Sequence, residues 1–364
     1  MDSNQPSGES VRTARRPNWV ARVVLLAAAV VIGAAAVDLG VRLFGIGPGH
    51  FAPRRFEPDG RVPFVRLANG PISYQPGARF SSVYDGPSGA PFTTGPVRYS
   101  INQYGLRGPE MSMSRHSGVI RIACLGDSFT FGEGVDDAAV YPRRLESLLN
   151  AVNGGAPTRP ADSAPARYEV LNCGVQGHGT IDEFLYYRMY ISKFRPDVVV
   201  LGFFLNDAMD GAETIRQNDE WTTDQPLSRL SHISRISEIL ERSRAADRLQ
   251  SAYFAAIRES FESPRWSLCK RALTDLRDLT ARDGCRLIVA IWPVLWELDG
   301  RYPFKDIHGL ISAFCAEQGI ACVDLLETFT GLDASSLWVH PMDHHPNATA
   351  HDRAARLLLK MFVD

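Results

Sequence analysis

A hydroxyl, an imidazole, a carboxylate and several glycine-bordered amides stand at four separated points of this chain, and together they suit acyl transfer. Ser128 follows an apolar run, residues 119–125, which stops at Gly126-Asp127-Ser128 and is followed by Gly132 and Gly134. A strand ending in a tight turn with a serine at its tip presents a nucleophile well, because ligands in α/β sheets bind beyond the carboxyl ends of the strands. Asn172-Cys-Gly174 ends a second apolar run, Leu205-Asn206-Asp207 ends a third, and Asp343-His-His345-Pro-Asn347 precedes the last helical stretch. The imidazole would take the hydroxyl proton, the carboxylate would hold the imidazole, and the amides would receive an oxyanion. A Gly-Asp-Ser triplet alone is an ordinary turn. Four such stretches at strand ends form a constellation.

The elements that must position these residues alternate from residue 118 onward. Strands are predicted near 119–125, 168–172, 197–204, 286–291 and 321–326, with helices over 141–150, 181–193, 266–281, 306–318 and 348–362. That alternation predicts a parallel sheet covered on both faces. Thr180 with Glu183 reads as a capping box, Ser263-Pro264 as a cap with a first-turn proline, and Gly284 and Gly319 as helix stops. An insertion over 207–262 interrupts the pattern. Its middle, 233–257, spaces Ile236, Ile239, Leu240 and Leu249 at helical intervals, as a lid, an acyl-binding wall or a packing excursion would.

At these motifs the chain resembles the SGNH (GDSL-type) hydrolase family, over roughly residues 118–364, and within it the membrane-anchored bacterial members. The four blocks occur in family order: Gly126-Asp127-Ser128, Gly174, Asn206-Asp207, and Asp343 with His345. The Asp38…Arg42 end of the apolar helix and the Gly105-Leu-Arg-Gly108 turn match too. The resemblance implies an α/β, flavodoxin-like three-layer sandwich with Ser128 as nucleophile, His345 as base and Asp343 as its orienting acid. It implies an oxyanion hole made by the Ser128 and Gly174 N–H groups and the Asn206 side-chain amide. Two positions depart from the pattern. The family spacing is Asp-x-x-His, whereas Asp343 stands two before His345 and Met342 holds the third place; and Phe204 stands where the family has glycine, narrowing the groove.

Ahead of that domain, residues 1–18 are polar, carry Arg12, Arg15 and Arg16, and read as a disordered cytoplasmic tail. Residues 19–43 form an apolar stretch long enough for a signal-anchor, since a span needs about 20 apolar residues. Basic residues before it keep the N-terminus cytoplasmic and send the rest outside, to the periplasm of an inner-membrane protein. Ala34-Ala35-Ala36 keeps a cleaved signal peptide as the competing reading. Residues 44–117, rich in Gly and Pro, read as a membrane-proximal segment with short strands at 71–74, 80–84 and 97–101, and Arg107 as a surface-turn arginine, with a reach into the active site as the other reading.

The 364 residues, 45% hydrophobic and 22% charged, are ample for a sizeable core. A net charge of −2 gives no reason to expect nucleic acid, and six cysteines without a C-x-x-C pair are neither a disulfide scaffold nor a zinc motif. Cys285 and Cys322 are candidates to pair in an oxidising compartment. The expected function is a serine esterase or O-acyl (acetyl) hydrolase acting through an acyl-enzyme on an extracytoplasmic glycan or lipid, without cofactor or metal. An O-acyltransferase would use the same triad. A divalent-metal phosphoesterase built on the crowd of His340, Asp343, His344, His345 and His351 would leave Ser128 idle and give Gly174 and Asn206 no task. A non-catalytic assembly protein would be expected to lose the Ser, Asn or His, and none is lost.

Overall fold

The computed structural model describes residues 19–43, 55–68, 70–84, 95–154, 167–209, 228, 231, 234–341 and 343–363. The tail over 1–18, the start of the predicted insertion helix at Ile233, and Met342 lie outside the described residues.

Two units are distinguished, 1–49 with 225–246, and 50–224 with 247–364. The first contains α1, Trp19–Leu43, a 25-residue helix with no buried residue, in which an 18-residue window has a mean hydropathy of 2.5. At 1.5 Å per residue it extends about 37 Å, long and apolar enough to cross a membrane. Near its end Asp38 pairs with Arg42 at 2.8 Å and accepts from the Ser234 hydroxyl and the Ile236 N–H, both at 3.0 Å.

The second unit begins with short strands: β1 (Arg55–Glu57), β2 (Phe64–Arg66), β3 (Ile72–Tyr74), β4 (Arg79–Tyr84) and β5 (Gly95–Ser100). They form an antiparallel sheet in the order β1-β4-β5 and a β2-β3 pair. Then come β6 (Val119–Gly126), α2 (Ser128–Phe131), α3 (Tyr141–Gly154), β7 (Arg167–Gly174), α4 (Thr180–Met189) and β8 (Val198–Phe204). A long helix, α5 (Arg235–Glu262), leads to α6 (Pro264–Arg282), β9 (Arg286–Trp292), α7 (Lys305–Glu317), β10 (Ala321–Asp324) and α8 (Leu326–Phe329). A small hairpin, β11 (Trp338–His340) and β12 (Asp343–Pro346), precedes α9 (Ala348–Val363).

β7-β6-β8-β9-β10 is a fully parallel sheet, the 2-1-3-4-5 order of a flavodoxin-like fold. β8 lies at its centre, and every residue of Val-Val-Val-Leu-Gly-Phe-Phe is buried, as a strand covered on both faces requires. α3 packs on α9, and α4 on α6. Right-handed crossovers put α3 and α4 on opposite faces, because the chain leaves β6 in one direction along the sheet and returns past it to β8. The order reverses between β6 and β8, and it is there that such sheets open a crevice at their carboxyl edge.

The short N-terminal strands belong to the same core. Tyr74 and Tyr99 bring their rings to 4.8 and 5.2 Å from Phe131, just past the end of β6. In the insertion, Ile257 and Phe261 of α5 are buried, whereas Leu240 is half exposed, so burial lies toward the helix's C-terminal end.

Ser263 Oγ accepts from the Arg265 N–H ahead of Pro264, and Gly284 and Gly319 have positive φ, as expected. The capping box does not form. Gly179 is the N-cap of α4, Thr180 Oγ1 accepts from the Cys269 thiol, and both Glu183 carboxyl oxygens are buried. The strand predicted to reach residue 326 stops at Asp324, whose carboxylate accepts from the Leu326 N–H as α8 starts. All six cysteines are free thiols, and Cys322 meets Cys315 of α7 rather than Cys285.

Candidate active site

Ser128 is the first residue of α2, one turn long, which follows β6 directly. Asp127 caps it by accepting from the Phe129 N–H at 2.8 Å. The turn lies flat on the sheet edge, where Gly126 stands in register with Gly174 on one side and Gly202 on the other. A Cβ at Gly174 would come within 2.2 Å of the Phe131 nitrogen, and one at Gly202 within 2.4 Å of Thr130 Oγ1. Side chains there would push the turn, and Ser128 with it, off the strand ends.

Ser128 Oγ lies 2.8 Å from His345 Nε2, and His345 Nδ1 is hydrogen-bonded to Asp343 Oδ1. The two-residue spacing has a simple cause. Asp343 and His345 sit on β12, and residues i and i+2 of a strand face the same side. The His345 N–H also donates to Asp343 Oδ1, at 3.2 Å. Its side chain is 24% exposed, open enough for a ligand to reach.

Tyr84, on β4, donates its hydroxyl to the second Asp343 oxygen at 2.9 Å. Sequence reasoning missed this residue, because nothing local to Phe80–Tyr84 points 259 residues ahead. Replacing Tyr84 by Phe should lower kcat about ten- to a hundredfold with little change in KM. A hydrogen bond to a charged group contributes about 1.5–3 kcal/mol and 1.36 kcal/mol is tenfold. Steady-state kinetics on an aryl ester would read the loss, and an unchanged kcat would show that Asp343 needs no such support.

Asn206 lies in the turn after β8, Leu205–Ala208, shaped by the Asp207 carboxylate, which accepts from the Phe204 N–H at 2.8 Å. Asn206 Oδ1 is buried and meets no hydrogen-bond partner among the described residues. Phe204 stacks on Phe129 with ring centroids 3.9 Å apart, and Phe129 lies 5.5 Å from the His345 ring. An apolar wall therefore stands where a glycine would leave space. Gly174 ends β7, but its N–H donates to Asn172 Oδ1 at 3.1 Å. That amide is already engaged, which sequence spacing does not reveal.

Arg107 is no surface arginine. It is 3% exposed and its guanidinium donates to the carbonyls of Phe131, Gly132 and Val135 and to the Asp137 carboxylate, with its cationic carbon 4.7 Å from the Tyr99 ring centroid. It clamps the loop that follows α2. Glu133, at the centre of that loop, points inward: its side chain is 3% exposed and Oε2 lies 3.7 Å from His345 Nε2.

Buried acids surround the turn from below. Burial pushes Asp127 up to about 6, against the pull of the Phe129 N–H and the His345 charge. Burial, reinforced by the charge of neighbouring acids, Asp127 among them, also holds Glu183 and Asp207 well above the usual carboxylate range. His351 is buried on α9, where its Nδ1 accepts from the Tyr141 N–H, and burial lowers it to about 3. His340 is buried beside the Tyr84 ring, while exposed His344 stacks on Trp338 at 3.9 Å. The crowd of histidines is thus divided among separate surroundings. Among the described residues no group of three His, Cys, Asp or Glu side chains is arranged to hold a metal ion.

The family model for GDSL-like lipases and acylhydrolases matches residues 124–353, which span every residue placed above from β6 to α9. The chain belongs to this family. It is a hydrolase of ester bonds. No curated protein sequence matches this GDSL-family hydrolase. Among solved structures it is similar to a catalytic mutant of Axe2, an acetylxylan esterase from Geobacillus stearothermophilus (17% identity, 66% of this chain and 93% of that one, TM-score 0.43). It is also similar to TesA (14%, 67% and 98%, 0.41) and to LAE5, an alpha/beta hydrolase enzyme from the metagenome of Lake Arreo, Spain (18%, 66% and 94%, 0.42).

Proposed function

We propose that this hydrolase works through an acyl-enzyme on Ser128. The observation that carries the reading is the chain of contacts from Ser128 Oγ to His345 Nε2 and from His345 Nδ1 to Asp343. Ser128 Oγ attacks the ester carbonyl while its proton passes to Nε2. The carbonyl oxygen becomes an oxyanion, received by the Ser128 N–H and the Asn206 amide, with Gly174 contributing in so far as its N–H turns from Asn172. The proton on Nε2 then goes to the departing alkoxide as the ester C–O bond breaks. Water enters, gives its proton to Nε2 and attacks the acyl carbon, and Ser128 Oγ leaves with the proton returned. Asp343 keeps Nδ1 protonated and balances the transient imidazolium.

The substrate is an O-acylated, most simply O-acetylated, extracytoplasmic glycan or lipid. The support is α1, an apolar helix with no buried face, preceded by arginines. In this reading α1 is a single-pass signal-anchor of the inner membrane, of the membrane-anchored bacterial subgroup, with residues 1–18 cytoplasmic and the domain over 118–364 periplasmic. Residues 44–117 stand next to the membrane. No cofactor enters the reaction. The full-length protein in detergent, given acetylated polysaccharide, should release acetate. Release from p-nitrophenyl acetate alone, with none from any acylated glycan or lipid, would reject the substrate class; label moved onto an added unacetylated glycan would make the enzyme an acyltransferase.

A further inference from the structure

The loop after α2 is built to push one carboxylate into the site. Glu133 is flanked by Gly132 and Gly134, both at positive φ (86° and 74°). A Cβ at Gly132 would lie 2.2 Å from Val140 Cγ1, and one at Gly134 within 2.8 Å of the Tyr84 hydroxyl and 2.9 Å of Val339. The Glu133 N–H donates to the Ser128 carbonyl at 3.1 Å, and the Gly134 N–H to the Tyr99 hydroxyl at 2.9 Å. Arg107 grips the carbonyls on both sides of this residue. A glutamate that only solvated a surface turn would need none of this, and burying a carboxylate is costly unless it is put to use or compensated.

We infer that Glu133 is a positioning residue that acts on His345 from the nucleophile's side, stabilising the proton that His345 Nε2 takes from Ser128. Two carboxylates then bracket one imidazole: Asp343 on Nδ1 and Glu133 Oε2 at 3.7 Å from Nε2. The proton arriving on Nε2 sits between Ser128 Oγ and Glu133, and a negative charge at that distance favours the imidazolium and so makes His345 a stronger base. The charge is felt nearby, since Tyr99 is pushed up to about 12 by burial and, after it, by Glu133. Other groups also face His345: Asp127 from the cap of α2, His344 beside it on β12, His351 on α9, and Tyr84 through Asp343. They stay in place when Glu133 is changed. This inference rests on His345 being the base for Ser128.

The test is the pH profile of kcat/KM for Glu133→Gln, which keeps the shape and removes the charge. The ionisation that limits activity on the acid side should move down by about one pH unit or more, the range for loss of an opposite charge within about 4–6 Å. The plateau should fall several-fold, as a weaker base takes the proton less readily. A limb that stays in place, whatever happens to the plateau, overturns the inference, because a merely structural role changes amplitude and not ionisation. Glu133→Asp, which keeps the charge but withdraws it, should place the limb between the two, and it reads the same quantity if the Gln variant does not fold. Covalent labelling by a fluorophosphonate separates the two failures. Ser128 labelled with an unmoved limb sinks only the Glu133 inference, whereas no labelling of Ser128 in the unaltered enzyme sinks the acyl-enzyme reading itself.

Discussion

Replacing Ser128 by alanine is expected to lower kcat for p-nitrophenyl acetate by about 10⁴–10⁶-fold, the loss seen when a serine nucleophile is removed from a triad. Stability should barely change. Ser128 Oγ makes its contact with His345 at the open end of the site, so no buried donor is orphaned, and substitutions that orphan nothing stay within about 0.5 kcal/mol. An unfolding midpoint within about 2 °C of the unaltered protein would confirm that the chemistry alone was lost. Full activity in the variant would mean that another group attacks the ester.

Asp343→Ala should cost about 10⁴-fold in kcat at neutral pH with KM little changed. Two functions disappear together. Nδ1 loses the acceptor that fixes its tautomer and ring orientation, and the imidazolium formed during attack loses its nearest compensating charge. The Tyr84 hydroxyl, now without the oxygen it donates to, cannot replace a carboxylate. Tyr84 reaches His345 through Asp343, so adding Tyr84→Phe to Asp343→Ala should cost nothing further, and a fully additive double variant would place Tyr84 in some other role.

The sites at strand ends were legible because sheet topology concentrates them. Ser128, Gly174 and Asn206 each follow an apolar run, and a parallel sheet brings such ends to one edge. The Asp-x-His spacing at 343–345 departs from the family pattern, and β12 supplies the reason it serves, since a strand aligns alternate side chains. What the sequence left hidden depends on long-range packing. Arg107 looked like a turn residue because its four acceptors lie 24 to 30 residues away. Glu133 stands between two glycines as many turn acids do, and nothing local to it points ahead to His345. Thr180-x-x-Glu183 matched a capping pattern, yet Thr180 Oγ1 takes the Cys269 thiol and the Glu183 carboxyl is buried with no hydrogen-bond partner among the described residues. Cys285 and Cys322 were candidates to pair, while the helix packed against the Cys322 strand brings Cys315 to it instead.

The most direct measurement is the mapping of a fluorophosphonate adduct on the full-length protein by peptide mass spectrometry, alongside His345→Ala. The four-loop site requires one adduct, on Ser128, forming fast in the unaltered protein and slowed by orders of magnitude without His345. An adduct elsewhere, or equal labelling of Ser128 in both proteins, would contradict it.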